Sequence, residues 1–126
     1  MRGANAVIES AKNIDIEIEG STIRVDWNVR SSSSTRDLIL IVLDPDQYLA
    51  DPTYRAARRS GSPAIRNLQA FSRNSGEKLW EAELPEPVDY YYELANSEPI
   101  EALSYSGYRC VINAVDGHIR SKQFLK

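Results

Sequence analysis

The stretch Ile23-Arg24-Val25-Asp26-Trp27-Asn28-Val29 alternates apolar with polar residues at every position. Successive side chains of a β-strand point to opposite faces, so this pattern predicts a strand with one buried and one wet face. A second stretch near the other end of the chain, Tyr108 to Val115, shows the same alternation. Two half-buried strands so far apart in sequence are typical of two sheets packed face to face, and Trp27 is the predicted core anchor.

Length and composition indicate one folded domain. The chain has 126 residues, of which 42% are hydrophobic and 26% charged, with a formal net charge of -3. This length suits one domain, and the composition is not that of a disordered chain. The net charge argues against a nucleic-acid partner, because nucleic-acid-binding domains are usually basic. We expect residues 1–12 to be an N-terminal tail and residues 13–126 a single domain.

The single cysteine and the lengths of the apolar runs indicate in which cellular compartment the protein is expected. Cys110 is the only cysteine, so an intrachain disulfide is impossible and a reducing compartment suits the chain, although a disulfide-free secreted module fits too. The first residues lack the apolar run of a signal peptide, and the longest apolar run, Leu38 to Leu43, is too short to span a membrane. We expect a cytoplasmic protein without membrane insertion if Met1 is the native start.

The run Leu38 to Leu43 is apolar at six consecutive positions, which predicts a strand covered on both faces. The segment 44–74 that follows is predicted to contain a short helix near residues 52–60. Asp51 can cap that helix, and Pro52 suits its first turn.

Alternation and turn residues place the other elements. Ile14 to Ile18 alternates with acidic residues, and Gly20-Ser21 after it is the predicted hairpin turn. That turn would place Glu17 opposite Arg24, as a pair of opposite charges.

The remaining stretches are predicted from their composition and turn residues. Residues 30–36 are predicted to be a serine-rich loop, and residues 96–106 a connector. Strands are predicted at 78–84 and 118–124, with the last hairpin turning at Asp116-Gly117.

The sequence Ser106-Gly107-Tyr108-Arg109-Cys110-Val111-Ile112-Asn113-Ala114 resembles the sixth strand of immunoglobulin-like and fibronectin type III β-sandwiches. Tyr108 would occupy the position of the tyrosine corner. The Trp27 strand is similar to the second strand of fibronectin type III domains. The chain departs from these families in lacking a disulfide partner for Cys110, and the segment 44–74 is longer than either family needs.

The resemblance implies an all-β, immunoglobulin-like antiparallel β-sandwich, and it implies no particular activity because such folds host many functions. It also implies that the Leu38–Leu43 strand and the Tyr108 strand are neighbours in one sheet. The outer face of that sheet would then be apolar, and apolar patches usually mark interfaces. The expected partner-binding residues are Val111, Val115, Leu38, Leu40, Val42, Arg55, Arg58 and Arg59. The alternative is that residues 44–74 cover this face.

A second set of residues suggests a carbohydrate-binding module instead. Its members are aromatic and could stack on sugar rings: Trp80, Tyr90, Tyr92 and Tyr105. Because adjacent strand residues face opposite sides, three consecutive tyrosines at 90–92 cannot form one flat platform. At least one of them is expected to point into the core, and core or edge packing explains the whole set better than a binding platform does.

Metal and catalytic motifs are not evident. Asp44, Asp46 and Asp51 lack the glycine and the final glutamate of a calcium loop, and turn formation or helix capping explains them. His118 is the only histidine, and its neighbour Asp116 lies in the same predicted turn, without a nucleophile motif. We expect no metal, no cofactor and no catalytic residue. The expected function is a non-catalytic structural module for protein–protein binding or assembly, with a protein partner or as a homo-oligomer.

Overall fold

The computed structural model describes residues 13–125, so the expected tail at residues 1–12 lies outside the described residues. The fold is mostly β, as predicted, and its sheets are antiparallel. The strands are β1 (Ile14–Ile18), β2 (Ser21–Val25), β3 (Val29–Ser34), β4 (Leu38–Leu43), β5 (Leu68–Ser72), β6 (Lys78–Glu81), β7 (Tyr91–Ser97), β8 (Ile100–Ser104), β9 (Tyr108–Ile112) and β10 (Ile119–Phe124). Two helices follow β4: α1 (Pro45–Leu49) and α2 (Pro52–Arg59), the second of which is the predicted helix.

Within each sheet, hydrogen-bonded neighbours are strands that are consecutive in the sequence. The first four-stranded sheet has the order β3-β4-β5-β6, the second has the order β10-β9-β8-β7, and β1 and β2 form a separate hairpin. Immunoglobulin-like sheets instead interleave strands that are distant in sequence. The expectation that the β4 and β9 strands are neighbours in one sheet is therefore wrong. Most connections within a sheet are short, which favours pairing between successive strands, whereas β4 and β5 are joined through the segment that contains α1 and α2.

The first hairpin turns at Glu19-Gly20 rather than at Gly20-Ser21. The φ angles of these two residues are 50° and 85°, as a type I′ turn requires. The register therefore pairs Arg24 with Asp15 instead of Glu17, and the Arg24 Nε to Asp15 Oδ1 distance is 2.8 Å. The predicted ion pair was wrong by two positions. The apolar residues still share one face because the side-chain period of a strand is two.

Three stretches differ from the sequence-based predictions. The chain leaves the strand at residues 26–28, so the predicted strand over Ile23–Val29 is two strands. Residues 30–34, predicted as part of a serine-rich loop, belong to β3, because pairing with the apolar β4 outweighs the low strand preference of serine. The predicted connector over 96–106 contains the end of β7 and all of β8.

The last hairpin also has a longer connection than predicted. Strand β9 ends at Ile112, three residues before the expected end, and residues 113–118 form the turn. The Asn113 N–H donates to the His118 carbonyl oxygen at 2.8 Å, and Gly117 takes a φ of 80°. Among the described residues the Tyr108 hydroxyl makes no hydrogen bond, so the bond of a tyrosine corner is not found there.

Strand β4 is buried on both faces, as its six apolar residues predicted. One face joins an inner cluster with residues of the second sheet: Leu38, Leu40, Val42, Leu68, Ala70, Trp80, Ala82, Tyr91, Ile100, Ala102, Cys110 and Ile112. The other face joins an outer cluster: Ile39, Ile41, Leu43, Ile23, Val25, Trp27, Tyr48 and Phe71, with Tyr54 and Ile65 packed against it. The cover of the outer face thus combines the first hairpin with the segment 44–74.

The first hairpin is attached to the turn between β5 and β6. The Ser21 hydroxyl donates to the Arg73 carbonyl oxygen, and the Arg73 guanidinium lies 3.1 Å from the Glu19 carboxylate. Gly76 has a φ of 78°, and a Cβ at this position would lie 2.1 Å from the Thr22 carbonyl oxygen. Glycine is therefore required here both for the backbone conformation and for the close approach of the hairpin.

Asn67 ties the two four-stranded sheets together. Its side chain is fully buried, and its amide nitrogen donates to the Leu43 carbonyl oxygen at 3.0 Å and to the Tyr91 carbonyl oxygen at 2.7 Å. Its amide oxygen accepts from the Tyr91 N–H at 2.9 Å. One amide therefore satisfies backbone groups at the end of β4 and at the start of β7, which would otherwise be buried without partners.

Candidate functional site

The structure changes which residues can contact a partner. Leu38, Leu40 and Val42 are 8%, 0% and 0% exposed and belong to the inner cluster. Because β4 and β9 lie in different sheets, these side chains face the second sheet instead of solvent. Leu38, Leu40 and Val42 are therefore not available to contact a partner.

The two valines of that surface lie in different settings. Val111 is half-buried on β9, where it is in register with Glu101 on one side and Ser121 on the other. Glu101 Oε1 lies 2.6 Å from the Arg109 Nε on the neighbouring strand, so this face carries an ion pair as well as aliphatic groups. Val115 is 85% exposed and lies in the turn after β9. An apolar sheet face containing both valines is not found.

The arginines of α2 lie on a helix whose start is capped as predicted. The Asp51 carboxylate accepts from the Tyr54 N–H at 2.9 Å, and Pro52 occupies the first turn. Arg58 donates to the Ser62 carbonyl oxygen, and Arg55 and Arg59 are exposed. The helix C-terminus favours cations. The three guanidinium groups are therefore accounted for as a solvated helix face.

The four aromatic residues of the sugar-binding alternative do not all lie on one surface, because Trp80 is separated from the three tyrosines. Trp80 is 7% exposed, and its indole N–H donates to the Ala114 carbonyl oxygen at 2.9 Å, so it is withdrawn from solvent. Tyr91 is 0% exposed, and its hydroxyl donates to the Glu83 carbonyl oxygen. The prediction that at least one of the three consecutive tyrosines points inward is confirmed.

The half-buried Tyr90 and the exposed Tyr105 form a stacked pair. Their ring centroids are 5.0 Å apart with an interplanar angle of 20°, and Tyr105 is 69% exposed. Val88 and Tyr92, two residues before and after Tyr90, are 74% and 42% exposed. We call Val88, Tyr90, Tyr92 and Tyr105 the tyrosine surface. Partial burial raises the pKa of Tyr90, and Tyr105 adds to this effect, so its hydroxyl stays neutral at physiological pH.

A buried carboxylate holds this pair in place. Asp89 is 6% exposed, and its Oδ1 accepts from the Tyr90 N–H at 2.8 Å and from the Ser106 N–H at 3.0 Å. Its Oδ2 accepts from the Ser106 hydroxyl, and the Tyr105 N–H donates to the Tyr90 carbonyl oxygen at 2.9 Å. The Asp89 carboxylate therefore fixes the backbone at Tyr90 and at Ser106, the residue after Tyr105. The sequence carries no local signal for this network, because it joins two loops.

The carboxylates and the histidine considered as metal or catalytic residues make local contacts that stabilise turns and helix ends. Asp44 caps α1 by accepting from the Asp46 N–H at 3.0 Å. Asp116 accepts from the N–H of His118, whose Nδ1 lies 3.7 Å from the Glu83 carboxylate. Among residues 13–125 we find no group of three or more potential ligands that could hold a metal ion. None of the helices in that range is long and apolar enough to cross a membrane.

Cys110 is buried, as its inward position predicted. Burial raises the pKa of its thiol. We expect the native protein to react with a thiol reagent much more slowly than the unfolded protein does, because the thiolate is both disfavoured and enclosed. Labelling with and without denaturant, followed by mass spectrometry, measures this difference, and rapid labelling of the native state would contradict it.

Comparisons with known proteins give a family but no characterised relative. Neither the curated proteins nor the solved structures contain a match to this chain. Residues 7–124 match a family described as a domain of unknown function (DUF7957). This match spans both four-stranded sheets, the first hairpin and the tyrosine surface. The chain therefore belongs to the DUF7957 family of domains of unknown function.

Proposed function

We propose that the protein is a non-catalytic module for protein–protein binding or assembly, and that the tyrosine surface is its contact site. The observation that carries the proposal is the stack of the half-buried Tyr90 on the exposed Tyr105, held by the buried Asp89. Tyrosine is enriched at the centres of protein interfaces, where it combines a large apolar ring with a polar tip.

Rigidity is the second argument for this site. Binding costs free energy when side chains and loops must be ordered, and a surface ordered beforehand avoids that cost. The Asp89 carboxylate orders both loops of the stack through Tyr90 and Ser106. A solvated aromatic pair without a binding role would not need this support, so the network favours a contact surface.

We further infer that the two four-stranded sheets face each other as an antiparallel β-sandwich, without the immunoglobulin strand order. Three observations support this arrangement. The inner cluster draws side chains from both sheets. The Ser33 and Ser97 hydroxyls are hydrogen-bonded at 3.2 Å between the edge strands β3 and β7. The Trp80 indole contacts the turn after β9 at the opposite edge. Such a body would hold the tyrosine surface on a stiff frame.

A photo-reactive side chain tests the contact site directly. We expect p-benzoylphenylalanine in place of Tyr105 to form a specific protein adduct when the producing cells are irradiated. The same group in place of Val115 is the matched control, because Val115 is 85% exposed against 69% for Tyr105. An adduct of twice the chain's mass would identify a second copy, and another mass would identify a different protein. Absence of an adduct at Tyr105, or equal adducts at both positions, would contradict the proposal.

The carbohydrate alternative predicts a different result. Each of two stacked rings loses one face to the other, whereas a flat sugar platform presents open ring faces side by side. Affinity electrophoresis through gels containing polysaccharides would detect sugar binding as retarded migration. Retardation that is lost in Tyr105→Ala would support the carbohydrate module and contradict protein binding. Under our proposal, Tyr105→Ala migrates like the wild type in these gels. It binds its protein partner more weakly instead, with a loss of about 2 kcal/mol or more in binding free energy.

A further inference from the structure

A groove lies over the outer cluster, between α2 and the first four-stranded sheet. It encloses about 560 Å³, which is within the usual range of small-molecule sites. Its floor includes Trp27 and Leu43, and its walls come from α2, from residues 62–66 and from the neighbouring strands. We propose that this groove binds a small organic cation, namely an alkylammonium or guanidinium group on a short apolar body. None of its lining residues belongs to the tyrosine surface.

The first argument is the side-chain amide of Gln69. This residue is only 5% exposed, and its amide nitrogen donates to the Arg66 carbonyl oxygen at 3.1 Å and to Glu81 Oε2 at 3.2 Å. Both partners are acceptors, so the nitrogen must face them and the amide oxygen must take the other side. That oxygen has no hydrogen-bond partner among residues 13–125. The oxygen is not sealed from solvent, because Tyr48 carries the one fully buried side-chain polar atom without a partner among residues 13–125, so a donor group of a ligand can reach the Gln69 oxygen in the groove.

The charge of the groove favours a cationic donor. Asp26, Asp51 and Glu81 line it, against the single guanidinium of Arg66. Glu81 is already paired with the ammonium group of Lys78 at 2.7 Å, so its charge is partly neutralised. Asp26 makes no ion pair within the described residues and is exposed at the groove. Carboxylate and amide oxygens together suit a group that carries several N–H donors and a positive charge.

Aromatic walls suit the apolar part of such a ligand. Tyr54 lines the groove, and its hydroxyl oxygen accepts from the Ile65 N–H at 3.1 Å. Trp27 is 4% exposed beneath it and adds indole surface at the floor. A short alkyl chain would pack against these rings while its charged end reaches Gln69 and Asp26. The enclosed volume limits the ligand to a small molecule or to a single side chain of a partner.

The two tryptophans of the chain provide an internal control for the test. In a nitrogen–proton correlation spectrum each indole gives one signal, and Trp80 lies in the inner cluster, away from the groove lining. We expect agmatine and butylammonium to shift the Trp27 signal in a saturable way and to leave the Trp80 signal in place. A capped Gly-Arg-Gly peptide in a parallel titration distinguishes a partner's side chain from a free cation as the source. Binding of the peptide alone would overturn the small-molecule proposal.

Variants and neutral ligands complete the experiment. Asp26→Asn keeps the shape of the side chain and removes its charge, so we expect weaker binding of agmatine and a smaller dependence on salt. Gln69→Met removes the amide oxygen at similar length, and we expect about a tenfold loss of affinity or more, with an unmoved Trp80 signal confirming the fold. Equal shifts with 1-butanol, shifts with acetate instead, or no saturable shift of Trp27 would each overturn the proposal. None of these outcomes affects the proposal for the tyrosine surface.

Discussion

Replacement of Trp27 by alanine is expected to lower the free energy of unfolding by about 3–5 kcal/mol, the usual loss for a large buried aromatic side chain. Trp27 is 4% exposed, and its ring centroid lies 5.9 Å from that of Tyr48. It belongs to the outer cluster that covers Ile39 and Ile41 on β4. Removing the indole would therefore leave a cavity above the central strand. Urea denaturation followed by far-ultraviolet circular dichroism measures the loss without relying on tryptophan fluorescence.

The matched variant is Trp27→Phe, which keeps an aromatic ring at the same place. We expect it to lose clearly less stability than Trp27→Ala, because it retains most of the buried area. A loss of less than about 1 kcal/mol in Trp27→Ala would show that the residue is peripheral, since buried aromatic truncations exceed that value.

Replacement of Asn67 by leucine is expected to lower the free energy of unfolding by about 3–4 kcal/mol, because buried groups that lose a hydrogen bond cost about 1–3 kcal/mol each. The side chain makes three hydrogen bonds with backbone groups of Leu43 and Tyr91. Leucine has the same branched skeleton of side-chain heavy atoms and leaves no cavity, so the effect reports mainly the lost polar contacts. The same urea titration gives the value.

Asn113 offers a control for Asn67. Its side chain also accepts a backbone N–H, that of Val115, but it does so in the exposed turn after β9. We expect Asn113→Leu to lose no more than about 1 kcal/mol, because water replaces the missing partner. Equal losses in the two variants would mean that Asn67 does not tie the two sheets together.

Local patterns in the sequence predicted local structure well. The burial of β4 on both faces follows from six consecutive apolar residues, and the helix α2 follows from Asp51 and Pro52. The register of the first hairpin could not be read in this way. It depends on Glu19 adopting a positive φ, which glutamate rarely does. Strand β3 was missed for a related reason, since its pairing with β4 decides its conformation.

Contacts between distant segments were beyond the sequence patterns. The assignment of β4 and β9 to one sheet rested on a family strand order, and the chain pairs consecutive strands instead. The stack of Tyr90 on Tyr105 joins two loops that Asp89 holds together, and no spacing rule connects them. The groove has the same origin, because Asp26, Tyr54 and Gln69 come from three separate segments. Sites of this kind form when distant segments pack together, so local sequence patterns do not predict them.

The position of the first hairpin in the chain has a consequence for biosynthesis. A ribosome releases β1 and β2 before β4, so part of the cover for one face of the apolar strand emerges ahead of the strand itself. The other face faces the second sheet, whose strands β7 to β9 are translated later. During that interval a half-covered β4 stays exposed to other chains, and nascent chains in this condition are prone to aggregate. The early hairpin reduces the apolar surface that stays uncovered, and its close contact with Gly76 forms only once the β5–β6 turn has left the ribosome.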